Sequence, residues 1–174
     1  MNCSLPGGCL GYTADMDKLI KRVFLFTKNA YGDNLVSLVL FGSVARGVSR
    51  HDSDIDLLIV AEKLPSGRMK RVSEFGEKIE NPMEKYLADL RGKGIHTALS
   101  PVFKTREEVL SGSPLFLDMI DSSKVLFDRN GFFRNYLEGL KMKLKKLGSR
   151  KVVRGTAWYW ILKPDYRHGD IIEL

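Results

Sequence analysis

Two short runs in this 174-residue sequence combine residue types that do phosphate chemistry: Gly42-Ser43-Val44-Ala45-Arg46-Gly47 and, after ten residues counted from Ser43, Asp54-Ile55-Asp56. A glycine directly after an apolar strand lets the backbone turn sharply and approach a ligand closely. Ser43 then stands where a short helix begins, so its hydroxyl and the free backbone N–H groups offer an anion site suited to a triphosphate. Arg46 lies one helical turn on and reaches the same phosphates, and Gly47 ends the turn. Asp54 and Asp56 are two apart in a strand, and alternation places them on one face about 6–7 Å apart. Carboxylates so placed repel unless a cation lies between them. Hard oxygen ligands beside a phosphate site call for Mg²⁺, and such a pair holds one or two ions for in-line attack on a nucleotide phosphate. A Gly-Ser turn alone is a common loop, and an Asp-x-Asp alone is often a solvated strand end. Their conjunction, at this spacing and within apolar strands, carries the chemical reading.

The elements that must position these residues follow from the flanking pattern. Leu35–Phe41 is short, apolar and β-branched, the composition of a buried central strand, and Ile55–Val60 is a second of the same kind. Asp15–Ala30 has helical spacing, with Gly32 stopping it. Residues 65–90 are helical with a break at Asn81-Pro82. Ile95–Phe103 reads as a third strand kinked at Ser100-Pro101, and Lys124–Phe127 as a fourth. Thr105-Arg106-Glu107-Glu108 is a capping box, Ser113-Pro114 opens a helix over Leu115–Asp121, and Gly131–Leu147 is a last helix. The order is that of an α+β domain.

Gly42–Gly47 followed by Ser53-Asp54-Ile55-Asp56-Leu57 resembles the signature of the DNA polymerase beta-like nucleotidyltransferase superfamily, and within it the minimal, antitoxin-like nucleotidyltransferase domains. The diagnostic segment covers residues 35–61, and the element order extends the likeness to about residue 104. The resemblance implies a small mixed β-sheet flanked by helices, with a helical and short-strand C-terminal extension. It implies transfer of a nucleoside monophosphate from an NTP, ATP first, to a hydroxyl acceptor, with Mg²⁺ as cofactor. Asp54 and Asp56 would be catalytic metal ligands, and Gly42, Ser43, Arg46 and Gly47 would bind the nucleotide. It further implies a HEPN-type protein partner as acceptor.

One departure matters. The family usually supplies a third carboxylate from the next strand, and Ile95–Phe103 holds none. His96 is its only titratable residue, and imidazole suits a general base near neutral pH. Glu107, Asp118 and Asp121, on later helices, are the other sources. Two alternatives therefore stay open: a weak or inactive module of this fold that binds a protein partner, and a protein that binds RNA or modifies its ends.

Composition sets the outer bounds. With 44% hydrophobic residues the chain can bury a core, and no apolar run nears the roughly 18–20 residues that cross a bilayer. Met1–Gly11 lacks the pattern of a secretory signal, and Cys3 and Cys9 flank a tiny Pro/Gly loop, which reads as reduced thiols in a cytoplasmic protein. The expected organisation is a flexible leader (1–14), a nucleotidyltransferase domain (15–128) and a basic, aromatic extension (129–174). Between Arg134 and Arg154 lie eight basic residues and one acidic residue, Glu138, an excess as large as the net charge of +7. Such a span is either a polyanion-facing surface, RNA included, or a solvated helix face. Trp158 and Trp160 share a strand face, either docking the tail or stacking on bases.

Overall fold

The computed structural model describes residues 8–155, 157–168 and 170. Its elements run α1 (Gly8–Tyr31), β1 (Leu35–Phe41), α2 (Gly42–Arg46), β2 (Ile55–Ala61), α3 (Arg68–Phe75), α4 (Asn81–Gly92), β3 (Leu99–Thr105), α5 (Arg106–Leu110), α6 (Leu115–Ser122), β4 (Lys124–Asp128), α7 (Phe132–Lys146), β5 (Arg150–Arg154) and β6 (Ala157–Ile161). Four strands form a mixed sheet in the order β3-β2-β1-β4. β1 runs antiparallel to both β2 and β4, and β2 runs parallel to β3. β5 and β6 form a separate antiparallel hairpin.

Both faces of the sheet are covered, which is why β1 and β2 are apolar almost throughout. On one face Leu38, Leu40, Leu57 and Ile59 pack with Leu19 and Val23 of α1, Phe75 of α3 and Met83, Leu87 and Leu90 of α4. On the other, Val36, Val39, Leu58 and Val60 pack with Phe116 and Met119 of α6 and Phe133, Leu140 and Leu144 of α7. The extension is tied to this second face. Asp128 accepts hydrogen bonds from the Ser37 hydroxyl at 2.7 Å and from the backbone N–H groups of Phe133 and Arg134 at 3.0 and 3.1 Å. It thereby joins a buried strand residue to the start of α7.

Three boundaries differ from the sequence pattern. α1 begins at Gly8, so residues 8–14 are helical and not leader; no proline follows Pro6 to stop the helix. Residues 1–7, with Cys3, and the terminal Ile171–Leu174 lie outside the described residues. The helix over 68–92 does not break at Asn81-Pro82. A π turn over Gly76–Glu80 leads directly into α4, with Pro82 in its first turn where the missing N–H costs least. The third strand starts at Leu99, not Ile95. Ile95 and His96 spend their N–H groups on the Leu90 and His51 carbonyls, outside the sheet. Pro101 is accommodated because β3 is an edge strand. The capping box is present: the Thr105 hydroxyl accepts from Glu108 N–H while the Glu108 carboxylate accepts from Thr105 N–H. Arg71 grips the same carboxylate with both guanidinium nitrogens, at 2.8 and 2.9 Å.

No helix among the described residues is long and apolar enough to cross a membrane.

Candidate active site

β1 and β2 deliver the two halves of the site to one end of the sheet. Phe41 is the register partner of Asp56, so the turn that begins at Gly42 starts beside that carboxylate. α2 spans Gly42–Arg46 and ends at Gly47, whose φ of 71° is the left-handed cap that lets its N–H return to the helix. Gly42 has a φ of 72°, and a Cβ there would stand 2.0 Å from the Asp56 carboxylate oxygen Oδ2. Sequence reasoning assigned this glycine to close approach by a ligand. Within the protein, the group it makes room for is Asp56 itself.

Asp56 lies on the β2 face shared with Leu58 and Val60, the face that α6 and α7 cover, and Asp54 stands just ahead of the strand. The loop before β2 is sewn to the segment before β3. Ile55 N–H donates to the Ala98 carbonyl at 2.8 Å, Thr97 Oγ1 donates to the Ser53 carbonyl at 2.8 Å, and Ala98 N–H reaches Asp54 Oδ1 at 3.3 Å. Asp54 is exposed and Asp56 is half-buried. Burial pushes the Asp56 carboxyl above the usual range; a hydrogen bond with Ser100 opposes this, the Asp54 charge adds to it, and the Arg46 charge offsets part of it. A carboxylate pair that Arg46 only partly compensates suits an additional cation, and its hard oxygen donors fit Mg²⁺.

Ser100 is the residue that sequence reasoning missed. It is the β3 partner of Asp56 in the parallel register, and it shares a face with Val102 of the second core. The position on the next strand where a third carboxylate would stand beside Asp56 therefore carries a hydroxyl. Only the register, in a strand that begins four residues later than the sequence pattern suggests, singles it out.

The other candidates fall differently. His96 precedes β3 in an exposed loop, and its backbone N–H donates to His51 at 2.8 Å. Among the described residues no three His, Cys, Asp or Glu side chains come together as a metal site, so His96, Glu107, Asp118 and Asp121 add no third metal ligand to Asp54 and Asp56. Glu107 and Asp121 are exposed on α5 and α6. Asp118 is half-buried on α6, the helix packed against α2; burial raises its carboxyl, and the Lys151 and Arg46 charges lower it. α6 thus stands on the Arg46 side of the site.

A family model for the nucleotidyltransferase domain matches residues 20–120. A "putative protein adenylyltransferase" of Methanocaldococcus jannaschii is 33% identical over 122 residues, covering 69% of this chain and 77% of its own length. Two solved structures are more distant. One is a toxin–antitoxin crystal structure with AMP-PNP, at 18% identity and a TM-score of 0.42, covering 76% of this chain and 91% of that one. The other is a tri-AMPylated Shewanella oneidensis HEPN toxin in complex with MNT antitoxin, at 15% identity and a TM-score of 0.39, covering 78% and 89%. With the family match spanning β1 to β3, the Gly42–Gly47 turn and both aspartates, this chain belongs to the nucleotidyltransferase domain family.

Proposed function

We propose that this nucleotidyltransferase uses ATP with Mg²⁺ to adenylylate a hydroxyl on a protein partner, and that the partner is of the HEPN type. The observation that carries the reading is Asp56 on β2 against the turn that Gly42 opens, with Asp54 two residues before it at the mouth of the strand. The name of the 33% identical relative, a protein adenylyltransferase, supports ATP as donor and protein as acceptor. The HEPN assignment rests on the family resemblance of the Gly42–Asp56 segment. The setting this implies is cytoplasmic.

Asp54 and Asp56 would hold the metal, which when bound offsets charge on the triphosphate and on the attacked phosphorus. Ser43 and the backbone N–H groups at the start of α2 hold the triphosphate, Arg46 neutralises part of its charge, and Gly42 and Gly47 set the turn that presents both. The acceptor oxygen attacks the α-phosphorus, a new P–O bond forms, the bond to the bridging oxygen breaks, and pyrophosphate leaves with the electron pair. The hydroxyl proton passes to a base. His96 is assigned that role because it is the titratable side chain of the segment whose Ala98 N–H reaches Asp54. Catalysis is then mostly positioning and electrostatics.

The test is transfer of label from ATP carrying a radioactive α-phosphate, with Mg²⁺ and a purified HEPN-type protein as acceptor. The Asp54→Ala/Asp56→Ala variant should lose at least about 10³-fold in rate, the loss of several kcal/mol of transition-state stabilisation. Equal rates for the two proteins overturn the assignment. Nucleotide binding without pyrophosphate release across a panel of acceptors is the result that would instead make the chain a binding module.

A further inference from the structure

The basic span whose excess equals the net charge is not one surface. Lys151 lies on β5, its ammonium 4.6 Å from the Trp158 ring centre, while Lys141, Lys143, Lys145 and Lys146 are exposed on α7. The helical period divides the α7 lysines again. Lys143 comes four residues after Gly139 and eight after Asn135, and all three line one hollow. Lys146, seven residues after Gly139, follows on that face, and Lys141 and Lys145 fall on the opposite one.

The hollow is a trough of two adjoining parts. One, about 200 Å³, is lined by Leu110, Asn135, Gly139 and Lys143. The other, about 320 Å³, is lined by Leu117 of α6 and by Leu162, just after β6, and Tyr136 and Leu140 wall both parts. From Asn135 to Lys143 the trough follows about 12 Å of helix. Its wall is rigid: the Tyr136 ring lies edge-on to Phe116 at 5.2 Å and stacks with Phe133 at 6.1 Å. Leu110, at the lip, is 64% exposed. Gly139 stands in the helix interior, where glycine is disfavoured, and a Cβ there would meet no heavy atom within 4 Å. Among the described residues, then, no neighbour requires that glycine.

A missing side chain over a pre-formed apolar trough lets another backbone approach closely. A firm aromatic wall with apolar residues around it and cations at one end suits one face of an amphipathic helix, laid in through anchors spaced three and four apart. Among the described residues neither Lys143 nor Lys146 forms an ion pair within 4 Å, so the complementary charge is acidic. A second copy of this chain would bring the same lysines and a net charge of +7, and like charges oppose that pairing. Nucleic acid wants a row of cations along its backbone, whereas Lys143 is the one cation among the described residues that line the trough.

We propose that this trough docks an acidic amphipathic helix of the protein acceptor, at a place on the acceptor distinct from the hydroxyl that is modified. The proposal rests on the protein-acceptor reading and adds to it a seat for that protein. Leu117 belongs to α6, which packs against α2 and covers the sheet face that carries Asp56, so the seat lies on the same side of the sheet as the transfer.

Calorimetric affinity of the full chain for the purified HEPN-type protein, with KM and kcat for its adenylylation, tests this. Gly139→Leu fills the trough and favours helix, so Tm should hold or rise. Partner binding should weaken at least tenfold and the KM for the acceptor should rise with it, while kcat and the KM for ATP stay within twofold. Lys143→Glu/Lys146→Glu should weaken binding about tenfold, with the loss shrinking at high salt. Lys141→Glu/Lys145→Glu makes the same charge change on the opposite face and should stay within twofold. A partner affinity within twofold of wild type in Gly139→Leu overturns the proposal, and so do equal losses for the two lysine pairs, which would mean a diffuse field in place of a seat. Three further results would give the trough to another occupant and overturn it as well: a wild-type dimer that Gly139→Leu dissociates, a single-stranded RNA whose binding Gly139→Leu abolishes, or partner binding tightened tenfold by removing residues 171–174. If wild type neither binds nor modifies the HEPN-type protein, the acceptor reading fails and this proposal with it, whereas normal wild-type binding with an unaffected Gly139→Leu overturns this proposal alone.

Discussion

The β1–α2–β2 end of the sheet and the β5–β6 hairpin are built in opposite ways. The first is made from residues 35–61, its two strands buried on both sides and Asp56 fixed by strand register and by a glycine that has no room for a Cβ. The second is a two-stranded ribbon joined to the rest chiefly through Trp160 and Leu162, with Val153, Trp158 and Tyr159 exposed. An isolated hairpin is marginal in water, so this one depends on what it leans on. The rigid end can hold reacting groups to fractions of an ångström. The hairpin is suited to contacts that tune affinity and tolerate small displacements.

The largest effect should come from the rigid end. Gly42→Ala places a methyl 2.0 Å from Asp56 Oδ2, at a φ of 72° that also disfavours alanine. The carboxylate must move, and displacement by about 1 Å costs on the order of 10²-fold in turnover. Single-turnover rates with ATP and acceptor check this, with circular dichroism confirming that the sheet persists. A loss under threefold would mean that Asp56 is not held as tightly as the contrast requires. The hairpin counterpart is Trp160→Ala, which removes packing against the second core. It should lower Tm by several degrees with kcat within twofold. A collapse of kcat there would erase the distinction between the two regions.

Ser100 lies between these cases and sharpens them. It sits 44 residues from Asp56 in sequence and is its register partner across the sheet, supplying a hydroxyl beside the carboxylate. Ser100→Asp should tighten Mg²⁺ binding severalfold, read from titration with Mn²⁺ as a spectroscopic stand-in, because a third oxygen donor joins the pair. Weaker metal binding in that variant would show that the hydroxyl orients Asp56 in a way that an added charge disrupts.

These residues also show what a sequence can and cannot reveal. The Gly42–Gly47 turn, both aspartates and the strands beneath them were legible because their spacing is local: period-two alternation fixes the shared face of Asp54 and Asp56 without knowledge of any other element. The four strands were legible as short runs, and the mixed sheet only through the family resemblance. Ser100 was not legible, because its meaning depends on a parallel register between strands and the segment before β3 was read as strand. Residues 95–98 have strand-like composition, yet their hydrogen bonds go to Leu90, His51 and Ser53. The purpose of Gly42 was half legible: the need for glycine was visible, but the neighbour that demands it was not. The basic span was visible as composition alone, and only the fold separates Lys151 from the lysines of α7.

The smallest expected effect bears on stability. The Asp56 carboxyl is raised by burial and by Asp54, so the folded protein binds its proton more tightly than the unfolded chain does. By linkage, stability falls as pH rises from the ordinary carboxylate range through the raised value in the fold, and the penalty is complete above it. Asp56→Asn keeps the shape and an oxygen that can accept the Ser100 hydrogen bond, and it carries no charge. In metal-free buffer at neutral pH the variant should therefore melt about 1–2 °C above wild type, a small difference because the group is partly solvated. The advantage should shrink as pH falls through the raised value and be gone below about 4, where the side chain is neutral in the folded and unfolded protein alike. Mg²⁺ should reverse the order, stabilising wild type by binding the native pair and leaving the variant nearly unchanged. A variant that melts below wild type in metal-free buffer would mean that the ionised carboxylate is a net support of the fold. The rigid end of the sheet would then not be carrying a functional charge at the expense of its own stability.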